Sequence, residues 1–377
     1  MFIQIKFKIN QAEKNIVMHI RGAKYSDYNE IQALIKRNGL KQRSENDWKN
    51  LWFKNPSFNM NESTMGWVAE DKDKIIGYFG TFPMKYYINK KSYIAASSHN
   101  LVVDEGYRGI SIKLIRNYFD QKNIDLHLMT TVSHPTVNKL FKIFNAKELP
   151  FKNYNGSLFI ILNLESFIEF ISRRIHFYGK TKIVKILSRI GCCILFFHLN
   201  FWKKKKFSNV TMVKSFDNRF DILWKQYLEN QSGIFSFDRS CKSLTWHYSH
   251  LIIDKGWVFV YEQDGSITGY IICIEDKNNN LKKVVVVDLI SVAVNPGKVY
   301  KTLIWNSIQE AKTRGYDILE FVGFNDAKRA HFLYFKPFKR NFSITPYLYK
   351  TENADLGKIL LNNSSWCPSM IDGDASI

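Results

Sequence analysis

The sequence contains an internal repeat, and this repeat restricts the possible folds more than any other feature. The pattern G-W-V-A-E followed by I-I-G-Y-F over 66–79 returns as G-W-V-F-V followed by I-T-G-Y over 256–270. The offset between the copies is 190 residues at Trp67 and 193 residues at Phe141, so it is nearly constant. A constant offset over this length predicts two domains of one fold in tandem.

Each copy has the order of helices and strands that is typical of an α+β domain. In the first copy, a hairpin over 66–80 precedes a strand ending at Val103, a helix entered at about Gly109 and a buried strand over 125–132. A helix that crosses between two strands makes them parallel. We therefore expect two mixed, mostly antiparallel central sheets flanked by helices. The predicted units are a domain at 1–164, a linker at 165–206, a domain at 207–350 and a flexible tail at 351–377.

Composition restricts the partners and the compartment. The chain has 377 residues and a formal net charge of +20, which favours anionic partners or an anionic surface. It has no zinc-finger spacing, basic zipper or aromatic RNA-binding signature, so nucleic acid is not favoured. Its five cysteines form no paired C-x-x-C frame, which indicates a reducing compartment and no structural metal. The first ten residues alternate like a strand and not like a signal peptide, so we expect a cytoplasmic protein.

The predicted linker at 165–206 is basic and amphipathic. Apolar residues alternate there with arginines and lysines, and four lysines at 203–206 close it. Its longest apolar run, at 191–202, is shorter than the ~20 residues that span a bilayer. One hypothesis is peripheral contact with an anionic membrane, at its inner face. The alternative is a helical hairpin packed on its own domains, with solvated lysines.

The stretch 97–118 predicts a strand, a tight loop and a helix. The loop E-G-Y-R-G-I-S is rich in small residues, and the first N–H groups of a helix have no internal partner. Together with the helix dipole, such N–H groups can bind a diphosphate. The alternative is that the glycines serve only the turn. The second copy has N-P-G-K-V-Y-K at this place, with a proline and one glycine, so we expect the first copy to hold the anion.

The same stretch resembles the acetyl-coenzyme A motif of the GCN5-related N-acetyltransferase superfamily, usually written Q/R-x-x-G-x-G/A after a strand that ends in valine. The segment N-K-L-F-K-I-F-N-A from Asn138 resembles the second signature of that superfamily. Gly106 and Ser111 depart from the first motif. The tandem layout is similar to that of the FemA/FemX peptidyl transferases and mycothiol synthase.

This resemblance implies an acyl-coenzyme A cosubstrate, most simply acetyl-coenzyme A, bound by the N-terminal domain. The backbone of Val102 and Val103 would pair with the pantetheine arm, and Asn138 would also contact the cofactor. The residues that would hold the diphosphate are Arg108, Gly109, Ile110 and Ser111.

The sequence offers several candidates for the catalytic groups. Phe141 stands where many members of the superfamily keep a tyrosine that protonates the leaving thiolate, and phenylalanine has no proton to donate. Tyr334 keeps a tyrosine at the matching place in the second copy. His99, on the strand before the loop, is our first candidate for the base, and His134 is the second. A water relay without a single base is a further alternative.

The resemblance implies an N-acyltransferase, and an amino sugar of a cell-surface polysaccharide pathway is one acceptor that suits the positive charge. A lipid-linked or nucleotide-linked amine would be anionic in the same way. One alternative is a FemX-like transferase that adds an aminoacyl group to a cell-wall precursor. Another is a binding or scaffold protein without catalysis, which Phe141 would permit.

Overall fold

The computed structural model describes residues 18–132, 134–150, 156–174, 209–276, 281–341 and 347–374. Two sheets form its framework. The strands of the first sheet are β1 (His19–Gly22), β2 (Gly66–Asp71), β3 (Lys74–Ile88), β4 (Lys91–Val103), β5 (Leu126–Met129), β6 (Lys147–Glu148), β9 (Ser236–Phe237) and β15 (Leu348–Lys350). The strands of the second sheet are β7 (Gly156–Ile161), β8 (Val210–Val213), β10 (Gly256–Gln263), β11 (Ser266–Asp276), β12 (Lys283–Ser291), β13 (Ile318–Val322) and β14 (Phe338–Asn341).

Helices flank both sheets. They are α1 (Tyr28–Arg37), α2 (Glu45–Trp52), α3 (Ser111–Phe119), α4 (Pro135–Ile143), α5 (Leu164–Arg174), α6 (Asn218–Asn230), α7 (Cys241–Lys255), α8 (Pro296–Thr313), α9 (Asp326–Leu333) and α10 (Ala354–Leu360). Within the described ranges, none of these helices is long and apolar enough to cross a membrane. Most of the linker at 165–206, on which the membrane-surface hypothesis depends, and the N-terminal alternating stretch lie outside the described residues.

The two sheets repeat one topology, as the internal repeat predicts. In the first sheet, β2, β3 and β4 are antiparallel neighbours and β4 pairs with β5 in parallel. In the second, β10, β11 and β12 are antiparallel and β12 pairs with β13 in parallel. The helices α3 and α8 make the two crossovers. The α+β prediction of mixed, mostly antiparallel sheets is confirmed.

Local sequence accounts for most of these elements. Lys72 and Asp73 both have positive φ in the turn between β2 and β3, a geometry that suits the twist of a hairpin. The hydroxyl of Ser44 accepts a hydrogen bond from the Asp47 N–H at 3.2 Å and so caps α2. One side of that helix then buries Trp48, Leu51 and Trp52.

The predicted domain boundaries at 164 and 350 do not coincide with the sheets. The strand expected at 158–164 in the first domain is β7, which pairs with β13 and β14 of the second sheet. In return β15 pairs with β5 and β6 of the first sheet. Each half thus supplies a strand that lies between two strands of the other half's sheet. Such a strand is paired on both sides, which leaves fewer unpaired backbone groups.

The expectation of a flexible tail from 351 is wrong for residues 353–374, which we call the closing segment. The helix α10 begins this segment, and Trp366 and Ile371 are then 2% and 0% exposed. The N–H of Phe324, just after β13, donates to the Pro368 carbonyl. The segment is rich in polar residues, but it buries Leu356, Leu360, Trp366 and Ile371 in the core that both halves share, which supplies free energy that orders it.

The two halves share one hydrophobic core. Trp48 and Phe82 from the first half belong to the same buried cluster as Val258 and Val285 from the second. Across this junction, the ring of Phe82 lies 6.2 Å from that of Trp246. The indole N–H of Trp246 donates to the carbonyl of Asn50 at 2.7 Å. The halves therefore enclose a space whose walls come from both.

Candidate active site

The strands β4 and β5 run together for three residue pairs and then part. Their last pair is Ser97 and Leu128, whereas β4 continues to Val103, still paired with Gly77 of β3. From Ser98 onward, the side of β4 that faces β5 has no strand partner among the described residues. An extended molecule could add there as a strand, through the backbone of Val102 and Val103.

A β-bulge lies inside this unpaired part of β4. Asn100 and Leu101 stand opposite the single residue Phe79, because the register shifts between Tyr78 and Gly80. Asn100 has a φ of +47°, a left-handed conformation that asparagine tolerates better than most residues. A bulge bends the strand that carries it, which favours the separation of β4 from β5.

A tyrosine hydroxyl sits where the two strands separate. Tyr118, on α3, has its hydroxyl 2.7 Å from the carbonyl oxygen of Ala96 and 3.0 Å from that of Leu128. One carbonyl belongs to β4 and the other to β5, and the ring is completely buried. Burial raises the pKa of Tyr118 well above its usual value, so the hydroxyl stays protonated and can donate. Tyr118 therefore holds the two strands at the point where their ladder ends.

His99 lies on β4 just before the bulge and has two polar neighbours. Its Nε2 is 3.0 Å from the amide nitrogen of Asn100. Its Nδ1 is 3.6 Å from Oδ2 of Asp374, an electrostatic contact somewhat longer than a hydrogen bond. Because the Asn100 amide nitrogen can only donate, Nε2 accepts, and the ring proton sits on Nδ1, facing the carboxylate. This is the arrangement of a histidine base oriented by an acid.

Asp374 is held in place by two hydroxyls at the end of β5. Its Oδ1 accepts from Thr130 at 3.0 Å and from Thr131 at 2.8 Å. These three residues were not among the candidates from the sequence. Asp374 is 244 residues from Thr130, and no local pattern in the closing segment marks a functional carboxylate.

The environment makes His99 neutral and Asp374 ionised near pH 7. Burial lowers the pKa of His99 below 6.5, and the positive charge of Arg43 lowers it further, while Asp374 opposes both. For Asp374, burial raises the pKa, but the neighbouring His99 and the hydroxyls of Thr131 and Thr130 outweigh burial and leave that pKa below its usual value. A neutral imidazole can accept a proton, and the carboxylate beside it stabilises the resulting cation.

The loop after β4 has the features of an anion site. It forms a short 3-10 turn, Glu105–Ile110, and no side chain caps the helix α3 that follows. A Cβ at Gly106 or Gly109 would meet nothing within 4 Å, so the backbone there is accessible. The Arg108 side chain is 74% exposed and pairs loosely with Glu105, at 3.5 Å.

The matching helix of the second half has its own cap. The side chain of Asn295 accepts from the Lys298 N–H at 3.1 Å at the start of α8. A Cβ at Gly297 would come within 3.0 Å of the His331 ring, so the backbone is covered on that side. The difference between the two loops agrees with placing the anion in the first half.

The second signature supplies one polar and one apolar group. The Oδ1 of Asn138, on α4, is buried and has no hydrogen-bond partner among the described residues. A buried acceptor of this kind suits a ligand that brings a donor. Phe141, also on α4, is 2% exposed, and its ring packs 6.0 Å from both Phe79 and Phe119. Phe141 is therefore a core residue.

The remaining two candidates for catalytic residues are His134 and Tyr334. His134 is exposed and is the N-cap of α4, where its Nδ1 accepts from the Thr136 N–H at 3.2 Å. Tyr334 packs against the core of the second sheet, with the Lys301 ammonium 4.4 Å from its ring centre. The structure thus brings His99, Val102 and Val103 together along β4, and it places Tyr334 in the other half.

A cavity of about 610 Å³ lies between the two halves. Asn100, the neighbour of His99, forms part of its wall. Further wall residues are Arg43 and Asp47 from the first half and Trp246, His250 and Glu275 from the second. The cavity therefore presents both positive and negative groups beside the histidine.

The topology of each half, with a bulged strand parting from its parallel neighbour before a helix, is that of the GCN5-related N-acetyltransferase fold. The chain carries this fold twice, in tandem. Three solved structures show the likeness over 89% of this chain, which includes both sheets.

One is the N-myristoyltransferase of Saccharomyces cerevisiae with bound myristoyl-CoA, which has a TM-score of 0.52, 14% identity and 79% of its own chain covered. A GCN5-related N-acetyltransferase from Kribbella flavida has a TM-score of 0.55, 8% identity and 71% covered. A probable N-acyltransferase from Enterococcus faecalis has a TM-score of 0.56, 9% identity and 72% covered. No family model and no curated protein matches the sequence.

Proposed function

We propose that this protein is an acyl-coenzyme A-dependent N-acyltransferase whose active site lies in the first half. One observation carries the proposal: the cleft between β4 and β5 starts beside the uncapped loop at 105–111 and ends beside His99 and Asp374. A linear cosubstrate with an anionic end and a reactive end would fit such a cleft. The neighbours of the same fold that act on acyl groups support the assignment.

The cosubstrate would contact three parts of the chain. Its diphosphate would be held by the start of α3, at Arg108, Gly109, Ile110 and Ser111. Its pantetheine arm would lie along Val102 and Val103, whose β5-facing side pairs with no strand of the described ranges. Asn138 would accept a hydrogen bond with its Oδ1, which has no partner in the part of the chain that the structure describes.

His99 would act as the base. An amine is protonated at neutral pH and must lose a proton before it can attack a thioester. The Nε2 lone pair of His99 accepts from the Asn100 amide in the free protein. The acceptor amine would displace that amide and pass a proton to Nε2 as it attacks, and Asp374 would stabilise the imidazolium that forms. A Ser-His-Asp enzyme activates its serine in the same way, and here the acceptor amine would take the place of the serine.

The acceptor amine would bind in the cavity between the halves, because Asn100 connects that cavity with His99. The mixed charges of its wall suit a polar acceptor that carries a negative group as well as the amine. An amino sugar from a cell-surface polysaccharide pathway, linked to a nucleotide or a lipid, has these properties. Acetyl-coenzyme A is the simplest acyl donor to propose.

The decisive experiment is titration calorimetry with acetyl-coenzyme A, followed by an acyl-transfer assay on a panel of amines. We expect binding in the micromolar range for the wild type. The Arg108→Glu variant should bind at least tenfold more weakly, whereas Arg116→Glu, a matched charge reversal on the exposed side of α3, should bind normally. Absence of binding at millimolar acetyl-coenzyme A would contradict the proposal. Binding without transfer to any amine would favour the scaffold alternative, and transfer from aminoacyl-tRNA would favour the FemX-like one.

A further inference from the structure

The hydroxyl of Ser97 has no assigned role. Ser97 is 0% exposed, and its Oγ has no hydrogen-bond partner among the described residues. Buried polar groups are nearly always paired, because an unpaired hydroxyl loses its hydrogen bonds with water and gains none in return. An unpaired buried hydroxyl therefore calls for an explanation.

The position of Ser97 in the sheet suggests one. Ser97 forms the last pair between β4 and β5, with Leu128, so it lies where the cleft begins. Side chains alternate along a strand, which places Ser97 on the same face as His99, two residues later. That face packs toward the second half, since Ala95 belongs to the core shared by both halves. Ser97 thus lies at the closed end of the cleft, on the side of the histidine.

Several polar groups around this point have partners. The Tyr118 hydroxyl contacts the Ala96 and Leu128 carbonyls, and the Asn100 amide contacts His99. Thr130 and Thr131 both donate to Asp374. Among the hydroxyls named here, that of Ser97 is the one that donates to no acceptor within the described part of the chain.

The geometry points to Ser97 as the side-chain donor to the oxygen of the reacting thioester, an inference that rests on the proposed acyltransferase function. A donor aimed at an oxygen where negative charge develops stabilises the transition state more than the ground state. In the free protein this hydroxyl has no acceptor among the described residues, which lowers stability, and it gains one when the substrate binds.

The step balances as follows. The amine enters as the free base, its ammonium proton having passed to solvent. Its nitrogen bonds to the thioester carbon, one of its two N–H protons passes to Nε2 of His99, and the carbonyl oxygen becomes an alkoxide that accepts the Ser97 hydrogen bond. The carbonyl then re-forms, the carbon–sulfur bond breaks, and coenzyme A leaves as a thiolate. The proton held by His99 returns to that thiolate, so the products are an amide and coenzyme A.

The test compares two alanine variants. Ser97→Ala should lower kcat about 100- to 1,000-fold, the range seen when one oxyanion donor is removed, and should leave KM for both substrates within about threefold. Ser157→Ala is the matched control, because Ser157 is also buried, on β7 of the second sheet, with an unpartnered Oγ. That variant should keep the wild-type kcat. Equal kcat values for Ser97→Ala and the wild type would overturn the inference.

A second readout does not depend on turnover. In isotope-edited infrared spectra of bound acetyl-coenzyme A labelled with ¹³C at the carbonyl, hydrogen bonding from Ser97 should lower the carbonyl frequency. The Ser97→Ala complex should lose this shift. An identical frequency in both complexes would overturn the role of Ser97 alone, whereas failure of the wild type to bind the label would overturn the proposed function together with it.

Discussion

His99 and Asp288 occupy the same position in the two sheets. In the first sheet, Gly77 of β3 pairs with Val103, and Gly80, three residues further along β3, pairs with His99. In the second sheet, Gly269 of β11 pairs with Ser291, and the residue three positions further along β11 pairs with Asp288. One half therefore places a histidine beside the cleft, and the other places a carboxylate in its core. The duplicated fold has kept the position and changed its chemistry.

In the second half this position is committed to structure. Asp288 is 0% exposed and accepts two hydrogen bonds from the Arg239 guanidinium, at 2.8 and 2.9 Å. The Tyr270 hydroxyl donates a third, at 2.6 Å. Nearby, the buried ammonium of Lys328 donates to the Leu289 carbonyl at 2.7 Å, on the strand that corresponds to β4. Together with the capped α8, these contacts agree with the proposal that places the cosubstrate site in the first half.

Removing the Asp288 carboxylate should destabilise the protein strongly. Asp288→Ala leaves the Arg239 charge buried without its partner, and we expect the free energy of unfolding to fall by about 3–5 kcal/mol. Urea denaturation followed by tryptophan fluorescence measures this change. Glu148→Ala, which removes an exposed ion pair with Lys142, is the control and should cost less than about 1 kcal/mol. Similar decreases in the free energy of unfolding for both variants would show that the buried pair stabilises the fold no more than the exposed pair does.

The contact between Asp374 and His99 should be visible in the pH profile. The carboxylate raises the pKa of His99, so Asp374→Asn should lower that pKa further. If the neutral imidazole is the base, as proposed, kcat/KM should rise with pH through this pKa, and the acidic limb should move to lower pH in the variant. We also expect kcat to fall about 100- to 10,000-fold, since the imidazolium loses its counter-charge. Asp355→Asn, at an exposed position of α10, should reproduce the wild-type profile.

Asp372 should make stability depend on pH in a direction unusual for a carboxyl group. Burial raises its pKa to about 6, from an ordinary value of 3.8. The folded protein therefore binds this proton more tightly than the unfolded chain, and stability is lost as the pH rises from about 4 to 6. The shift corresponds to roughly 3 kcal/mol.

The substitution Asp372→Asn removes this ionisation and keeps an oxygen that can accept from the Tyr86 hydroxyl. We expect the stability of the variant relative to the wild type to increase between pH 4 and pH 7, measured by urea denaturation at several pH values. A stability difference that does not change with pH would show that Asp372 is not protonated in the folded state. Asp355→Asn should show no such trend.

The Tyr118 hydroxyl should stabilise the point where β4 and β5 part. Tyr118→Phe removes the donor that lies between the Ala96 and Leu128 carbonyls and leaves them buried, so we expect a loss of about 1–2 kcal/mol. Acetyl-coenzyme A should also bind several-fold more weakly, because the cleft is less firmly held. Tyr316→Phe, at a half-buried tyrosine of the second half, should change neither quantity by much.

The hairpins, the helices and the repeat could be predicted from the sequence because their causes are local. The turn at Lys72 and Asp73, the cap at Ser44 and the apolar spacing of α2 each depend on residues a few positions apart. The loop at 105–111 and the base candidate His99 were found in the same way, since both lie in one short stretch. His134 was a reasonable candidate by residue type alone, and its role as a helix cap depends on the exact start of α4.

Sequence by itself thus determined the α+β class and the duplication, and it predicts an anion loop in the first half. Only the tertiary structure decided that β7 and β15 exchange sheets, that the closing segment is buried, and that Asp374 meets His99. The physical reason is the same in all three cases. Which open edge a strand covers, and which carboxylate enters a cleft, depends on contacts between residues more than a hundred positions apart, and local periodicity carries no information about such contacts.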